Sequence, residues 1–197
     1  LLSDLLENES LAFMHEAVRC MASPTIRNSA TIGGNVIIGG DLGVCLLALQ
    51  AELAVVGVEG VRRIPADEYY AAGLRAGEIL TAMEFDAPDG ASWRHCKVMR
   101  KKAASYAVLS IAAVVPLSGG IVERPHIALG ALAPTPVRAR HCEEMLDGKP
   151  LDPEVVNAAA TEALADIEPV DDAFASAWYR RRVLPVYLSR TLLADNE

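Results

Sequence analysis

A glycine-rich stretch in the first quarter of the chain carries the densest chemical signal. Gly33 and Gly34 leave the backbone open to a ligand, because no Cβ intervenes and a positive φ costs little. Thr31 and Asn35 flank the pair and add side-chain hydrogen-bond donors. Successive backbone N–H groups in such a turn form a concave nest for phosphate oxygens. The pattern predicts a loop that binds phosphate or pyrophosphate, and the alternative is a structural turn shaped by its glycines.

Arg27, close to this stretch, fits either hypothesis. Its charge could attract an anion, or its guanidinium could hold the loop through backbone carbonyls. The usual nucleotide and nucleophile motifs are missing from the sequence. It contains neither GxGxxG nor GxSxG, and although Gly34 and Gly39 have the spacing of a P-loop, Gly40-Asp41 stands where lysine and Ser or Thr are needed. The sequence therefore identifies no catalytic side chain.

A second candidate is the basic cluster of Lys97, Arg100, Lys101 and Lys102. Side chains alternate between the two faces of a strand, so Lys97 and Lys101 would share a face. A positive site there could meet an anionic ligand or a reduced, negatively charged ring. The alternative is an edge strand that lysines protect from pairing with other chains.

Composition limits the classes of protein to consider. The chain of 197 residues has 18 Lys and Arg against 26 Asp and Glu, a net charge of −8, and 52% of its residues are hydrophobic. This apolar content excludes a mainly disordered chain, and the acidity argues against a nucleic-acid binder. The longest nearly uncharged apolar run, Val108–Leu117, is too short to cross a bilayer. With no basic segment ahead of an apolar one at the start, we expect neither a membrane span nor a secretory signal.

The four cysteines, Cys20, Cys45, Cys96 and Cys142, stand far apart and form no CxxC. Their spacing predicts reduced, partly buried thiols in a cytoplasmic protein. Iron–sulfur and structural zinc sites use clustered thiolates, so no metal site is expected within this chain.

Periodicity and turn signals predict elements of both kinds before residue 90. Ser10 is a candidate N-cap, Pro24 is expected to end the first helix, and residues 25–35 are expected to form a loop. The predicted elements are a helix over Leu11–Ala22, a short strand over Val36–Ile38, a short helix over Val44–Leu49, strands over Ala51–Val58 and Ile79–Phe85, an edge segment at Arg62–Pro65 and a helical turn at Tyr69–Tyr70.

Pro88-Asp89-Gly90 is the strongest turn signal and the candidate domain boundary. Beyond it we predict strands over Trp93–Met99, Tyr106–Val115 and Ile121–Leu132, a hairpin turn at Ser118–Gly120, a helix over Thr135–Leu146 closed by Gly148, a helix opened by Asp152-Pro153-Glu154, and a last helix over Phe174–Leu193 with a kink at Pro185. The Arg180–Arg182 run indicates a solvated helix face, or a contact with an acidic partner. These elements predict two α+β lobes divided near residue 90.

The order of several separated segments resembles the FAD-binding subunit or domain of the molybdenum hydroxylases, a family that includes xanthine dehydrogenase and the medium subunit of carbon monoxide dehydrogenase. The segments are SPTIRNSATIGGN (23–35), Asp41 with LLALQAELAVV (46–56), GEILTAMEF (77–85), KVMRKKAASYAVLSIAA (97–113), IALGALAPTPVRA (127–139) and SAWYRRRVLPVYLSRTLL (176–193). The resemblance covers nearly the whole chain.

The resemblance implies a fold and a cofactor site. Residues 1–90 would be the second subdomain, and thus the C-terminal part, of a flavin-binding α/β domain. Residues 91–197 would be the family's C-terminal domain, a three-stranded sheet with a helical bundle. FAD would lie between lobes, with its pyrophosphate on two glycine-rich loops. The resemblance assigns the second loop and the other cofactor contacts to Thr31, Ile32, Gly33, Gly34, Asn35, Asp41, Leu80 and Lys97.

The resemblance also implies an electron-transfer role. FAD would take electrons from [2Fe–2S] clusters in an iron–sulfur subunit, fed by a molybdopterin-binding subunit, and would reduce an external acceptor. The family's first glycine-rich loop has no counterpart before Leu11, so we expect a separate chain or a lost segment to supply it. The alternatives are a non-catalytic scaffold of the same assembly that lacks stable FAD, and a flavin-free module that binds a free nucleotide.

Overall fold

The computed structural model describes residues 1–101 and 106–194. The part before residue 90 opens with two 3-10 segments and contains five short helices and three strands. The 3-10 segments are Ser3–Leu6 and Glu9–Met14; the helices are α1 (His15–Cys20), α2 (Pro24–Arg27), α3 (Ile32–Ile37), α4 (Asp41–Ala48) and α5 (Ala66–Ala72); the strands are β1 (Glu52–Gly57), β2 (Gly60–Pro65) and β3 (Ile79–Glu84).

The remainder of the chain adds six strands and three helices, with 3-10 segments at Gly90–Ser92 and Ala163–Asp166. The strands are β4 (Trp93–Met99), β5 (Ala107–Val114), β6 (Leu117–Ser118), β7 (Ile121–Val122), β8 (His126–Gly130) and β9 (Val137–Arg138); the helices are α6 (Arg140–Leu146), α7 (Pro153–Glu162) and α8 (Ala177–Leu193). The expected α+β fold is confirmed. None of the helices that the structure describes is long and apolar enough to cross a membrane.

The strands form three antiparallel sheets, with orders β2-β1-β3, β4-β5-β8-β9 and β6-β7. The predicted turn at Gly119 and Gly120 is confirmed, and both glycines adopt positive φ. However, this hairpin forms its own two-stranded sheet, because the chain turns again at Arg124 (φ 46°) before β8 begins. The single strand predicted over Ile121–Leu132 is therefore wrong, and the main sheet has four strands instead of three.

The four-stranded sheet is covered on both faces, and β5 is buried on both. Ala112 belongs to the apolar cluster that contains α4, whereas Ile111 and Ala113 belong to the cluster formed with α6, α7 and α8. This alternation follows from the period of two in a strand. It explains why β5 is a continuous apolar run. The proposed division at residue 90 stays a prediction; all four strands of this sheet lie after that residue, and elements from both parts of the chain pack on its faces.

Helix α4 approaches its neighbours closely through glycine. A Cβ on Gly43 would overlap the hydroxyl oxygen of Tyr70. That hydroxyl donates to the carbonyl oxygen of Val36 at 2.9 Å, and Tyr69 donates to Ile37 at 3.1 Å. The absence of a side chain at Gly43 thus lets α5 hold the end of α3 against α4.

Several predictions for residues 8–38 are wrong, because side-chain caps form helices where composition indicated a loop. The Leu11–Ala22 helix is a 3-10 segment followed by α1, and Asn8, not Ser10, caps it. Pro24 begins α2 instead of only ending a helix, since Ser23 accepts the Ile26 N–H at 3.3 Å. The expected loop over 25–35 contains α2 and the start of α3. The predicted strand Val36–Ile38 falls on the end of α3 and its C-cap.

The second half also departs from prediction at two helix starts. The helix predicted from Thr135 begins at Arg140, because Val137–Arg138 pairs with β8 as a strand. The last helix begins at Ala177, since Ser176 accepts the Tyr179 N–H at 3.2 Å. Local caps elsewhere are confirmed: Asp152 accepts the Val155 N–H at 2.9 Å, and Gly148 adopts a φ of 72°.

Nor is the Arg180–Arg182 run simply a solvated face. Arg180 is 2% exposed and donates to the carbonyls of Val108 and Val170 and to the Asp172 carboxylate, at 2.9, 2.6 and 2.6 Å. Its partners come from two distant parts of the chain, β5 and the segment before α8, so a local sequence pattern does not predict its burial.

Gly43→Ala is expected to lower the free energy of unfolding by about 1–3 kcal/mol, because the new methyl group displaces Tyr70 from Val36. Urea unfolding followed by circular dichroism measures the change. Gly90→Ala is the control, since a Cβ there would meet no atom within 4 Å. Equal stability of the two variants would contradict the close packing.

Candidate functional site

A groove of about 660 Å³ lies where the first part of the chain meets the four-stranded sheet. Its wall combines residues from α3 and α4 with residues from β4, β5 and the loop after β8. Apolar side chains predominate, and a few polar groups lie among them. The lining residues that matter for its chemistry are Thr31, Gly34, Asn35, Asp41, Lys97, Tyr106 and Phe174.

The first turn of α3 replaces the predicted glycine nest. Thr31 caps the helix, and its Oγ1 accepts the Gly34 N–H at 3.0 Å. Gly33 and Gly34 are helical and do not use positive φ. N–H groups in a first helical turn have no carbonyl partner within the helix, and they favour negative charge. The expected anion-binding backbone is therefore a helix start instead of an irregular turn.

The two glycines differ in their surroundings. A Cβ on Gly33 would meet no atom within 4 Å, so the backbone there is open. A Cβ on Gly34 would lie 2.7 Å from Thr31 Oγ1 and would disturb the cap. Only Gly33 offers room for a side chain without cost to the helix itself.

Asn35 connects α3 to α4. Its Oδ1 accepts the Leu42 N–H at 3.0 Å, which satisfies a donor in the first turn of α4. A Cβ on Gly40 would lie 2.6 Å from this oxygen, so the bare backbone at Gly40 permits the contact. The amide oxygen already accepts this backbone bond, and the NH₂ group of Asn35 is the donor that acceptor oxygens of a ligand could use.

Asp41 and Lys97 meet each other inside the groove wall. Asp41 Oδ2 lies 2.7 Å from Lys97 Nζ, which also donates to the carbonyl of Cys20 at 3.0 Å. The Lys97 side chain is 3% exposed and that of Asp41 is 19% exposed. The pair joins β4, α4 and the end of α1, and it balances the lysine charge.

The Asp41–Lys97 pair shows that the prediction of one positive site in the basic cluster is wrong. Lys97 points into the protein, whereas Lys101 is exposed beyond the end of β4, so the two do not form one positive site. Lys102 lies outside the described residues. The alternative, an edge strand protected by lysines, is confirmed only in part: β4 is an edge strand, but Lys97 is buried against Asp41.

Three of the residues assigned by resemblance do not line the groove. Ile32 packs against the apolar cluster around α4, and Gly33 lies one residue before the lining Gly34. Leu80 is partly buried in β3 opposite Val55, next to a bulge, and contacts the same cluster. Their roles as cofactor contacts stay predictions.

Arg27 holds backbone carbonyls, as the second of its two hypotheses predicted. Its Nη1 donates to the carbonyls of Arg19, Met21 and Ala22 at 3.1, 2.7 and 2.8 Å, and the residue is 8% exposed. The guanidinium thus caps the end of α1 and positions α2 beneath the groove.

An aromatic pair in the groove was not predicted. The rings of Tyr106 and Phe174 lie 4.8 Å apart, and Tyr106 is 74% exposed. Arg100 donates to the carbonyl of Ala173 at 3.2 Å, and Arg180 holds Asp172, so the segment that carries Phe174 is fixed from both sides. Tyr106 directly precedes the apolar strand β5, so its place at the end of a strand could have been predicted. Its contact with Phe174 could not, because the two residues lie far apart in the sequence.

His95 lies on the same face of β4 as Lys97. Burial lowers the pKa of His95 to about 4; the Asp41 carboxylate opposes this shift and the Lys97 ammonium adds to it. The imidazole is therefore neutral near pH 7. Among the described residues, no group of three or more His, Cys, Asp or Glu side chains could hold a metal ion.

Two family descriptions match consecutive parts of the chain. Residues 2–86 match the FAD binding domain in molybdopterin dehydrogenase, and residues 94–194 match the CO dehydrogenase flavoprotein C-terminal domain. The glyceraldehyde dehydrogenase medium chain of Sulfolobus acidocaldarius is 31% identical over 194 residues, which cover 93% of this chain and 69% of the relative. The carbon monoxide dehydrogenase medium chain of Hydrogenophaga pseudoflava is 31% identical over 202 residues, which cover 98% of this chain and 70% of the relative.

Solved structures agree with these relatives. A structure of carbon monoxide dehydrogenase from Hydrogenophaga pseudoflava, which lacks the Mo-pyranopterin moiety of the molybdenum cofactor, matches with a TM-score of 0.93 at 31% identity. The match covers 99% of this chain and 72% of that chain.

Lys97→Met is expected to lower the free energy of unfolding by about 2–4 kcal/mol, because Asp41 is left partly buried without its counterion. Arg63→Met is the control, since the Arg63–Glu84 pair is exposed and should contribute far less. Urea unfolding at pH 7 measures both changes. Equal losses would show that Lys97 does not anchor the groove wall.

The His95 pKa predicts a loss of stability in acid. The unfolded chain takes up a proton near pH 6.5, while the folded chain resists it until about pH 4, so the stabilisation is present above pH 6.5 and is lost as the pH falls. Between pH 7 and 5 the wild type should lose about 1–2 kcal/mol more unfolding free energy than His95→Gln. Parallel urea titrations at both pH values test this; identical pH slopes would contradict it.

Proposed function

Since this chain belongs to the FAD-binding flavoprotein family of the molybdopterin dehydrogenases, we propose that it is the flavoprotein subunit of a molybdenum hydroxylase. The resemblance predicted from separated sequence segments is confirmed. In this role the subunit passes electrons from iron–sulfur clusters through FAD to an external acceptor.

The observation that carries the proposal is the groove shared by the two parts of the chain. Its volume of about 660 Å³ lies in the range of small-molecule and cofactor sites. The open backbone of α3 suits a diphosphate, and the apolar wall with Tyr106 suits an aromatic ring system. The residues present therefore fit FAD. When bound, FAD supplies the capacity to accept and release electrons in single steps or in pairs.

In the proposed function, the side chains of this subunit bind and position FAD, and they take no part in breaking substrate bonds. Thr31 and the first turn of α3 would hold the diphosphate, with the NH₂ group of Asn35 beside it. The Asp41–Lys97 pair fixes the relative position of the two walls. Tyr106, which packs against Phe174, would offer an aromatic surface to a bound ring on one side of the groove.

The proposed function also includes partner subunits and a location in the cell. The named relatives are medium chains, which supports assembly with an iron–sulfur subunit and a molybdopterin-binding subunit. The chain spans about 70% of the length of these relatives, and we propose that a first FAD subdomain beyond these 197 residues completes the cofactor site. The four free cysteines favour a cytoplasmic location.

Gly33→Val tests the assignment of the anion site. Gly33 itself does not line the groove, but it adjoins the lining Gly34; a valine there enters open space and should leave the fold intact, yet it should crowd a diphosphate at the first turn of α3. We expect at least a tenfold loss of bound FAD in the purified assembly, measured by flavin absorbance per subunit after acid release.

Gly90→Val is the matched control, because its Cβ also meets no atom within 4 Å and lies far from α3 in sequence. Full flavin content in Gly33→Val would contradict the role of α3. A wild-type assembly that contains every subunit but no flavin would favour the scaffold alternative and overturn the proposed function.

A further inference from the structure

Helix α8 has four arginines and no acidic residue over Ala177–Leu193, in a chain whose net charge is −8. Two of the arginines have structural partners. Arg180 is buried against Asp172, and Arg181 donates to the carbonyl of Ile167 at 2.9 Å. The other two, Arg182 and Arg190, are exposed on the outer surface of the helix.

These two guanidinium groups rest on aromatic rings. Arg182 lies 5.7 Å from the ring centre of Trp178, and Arg190 lies 5.9 Å from that of Tyr187. Within residues 1–101 and 106–194, neither guanidinium comes within 4 Å of a carboxylate. Cation–π contact orients the groups while leaving their hydrogen-bond donors directed outward.

Arginine, tryptophan and an aliphatic residue form one outer α8 face, which consists of Trp178, Arg182, Val186 and Arg190 at intervals of four residues. Trp178 is 69% exposed and Val186 is 47% exposed. Residues four apart are neighbours on a helix surface, so the set follows one side of α8. Exposed tryptophan and arginine together are the residue types that contribute most to protein–protein binding energy.

Several other arginines near the surface have a carboxylate partner, whereas Arg19 and Arg124, like Arg182 and Arg190, have none within 4 Å among the described residues. Arg62, Arg63, Arg75 and Arg140 each lie within 4 Å of a carboxylate of the same chain. A positive face without its own counterions, on a protein that is acidic as a whole, is complementary to an acidic surface on another molecule. The net charge of −8 disfavours nucleic acid and anionic membrane as that molecule.

We propose that the outer α8 face docks this subunit onto an acidic surface of a partner subunit in the same assembly. Trp178 fills an apolar recess of the partner, while Arg182 and Arg190 pair with its carboxylates. The inference rests on the proposed function only in that it assumes a multi-subunit complex. It requires no contribution from FAD.

The test uses the complete complex, co-expressed and purified through a tag on the molybdopterin-binding subunit. Arg182→Glu combined with Arg190→Glu should raise the concentration at which half of this subunit dissociates by at least tenfold. It should also remove the weakening of the wild-type complex by salt. Trp178→Ala should weaken assembly as well but keep the salt dependence. Analytical ultracentrifugation over a dilution series at two salt concentrations gives these values.

Arg75→Glu combined with Arg124→Glu is the matched control, since it makes the same change in net charge at exposed positions away from α8. Both double variants should melt at the same temperature as the wild type. Wild-type dissociation in the outer α8 variant would overturn the inference. So would an effect confined to self-association of the isolated subunit, which would make a second copy the occupant.

Flavin content separates the two proposals. Weakened assembly with normal flavin per subunit supports the docking surface, and normal assembly with normal flavin overturns it alone. A fully assembled wild-type complex without flavin contradicts the proposed function, and the dissociation measurement then still decides the role of the outer α8 face.

Discussion

Helix α4 is the element on which the arrangement of the groove depends. Seven of its eight residues are buried, so it can pack against α3, α5 and the four-stranded sheet at once. Its first turn is fixed from both sides, by Asn35 from α3 and by Lys97 from β4. If this turn moved, α3 and β4 would no longer be held at a fixed distance across the groove. The buried thiol of Cys45, whose pKa burial raises, adds an inert apolar surface within the same helix.

The balance of charge in the groove follows from that arrangement. Asp41 neutralises Lys97, so the strongest nearby cation is committed to structure. Arg27 is equally committed, to three carbonyls. In the proposed site, attraction of an anion would then fall to backbone N–H groups at the start of α3, which present partial charges in a fixed direction. Such donors would recognise a diphosphate by the geometry of their hydrogen bonds.

Local signals predicted some elements and failed for others for physical reasons. Asp152-Pro153 and Gly148 were read correctly, because a cap or a positive φ is decided within a few residues. Thr31 is also a helix N-cap, but the two glycines that follow it are poor helix formers, so the sequence favoured a loop. Packing against α4 stabilises α3 in the folded chain. β9 is two residues long and exists only through β8. In the site, Thr31, Asn35, Asp41 and Lys97 line the groove as the chemistry and the resemblance suggested, whereas the Tyr106–Phe174 contact needed the folded chain.

The double burial of β5 limits how freely either part of the chain could be exchanged for another. The two matched families meet between residues 86 and 94, yet Ala112 and Ala128 of the second contribute to the core of the first. If the second part were joined to a different first part at that junction, one face of the four-stranded sheet would still have the shape that fits α4. The small side chains of Ala112 and Ala128 allow α4 to pack closely on the sheet. A different helix in its place would leave a cavity or clash with the sheet. Replacement of either part alone is therefore expected to lower stability unless α4 and the facing strand positions change together.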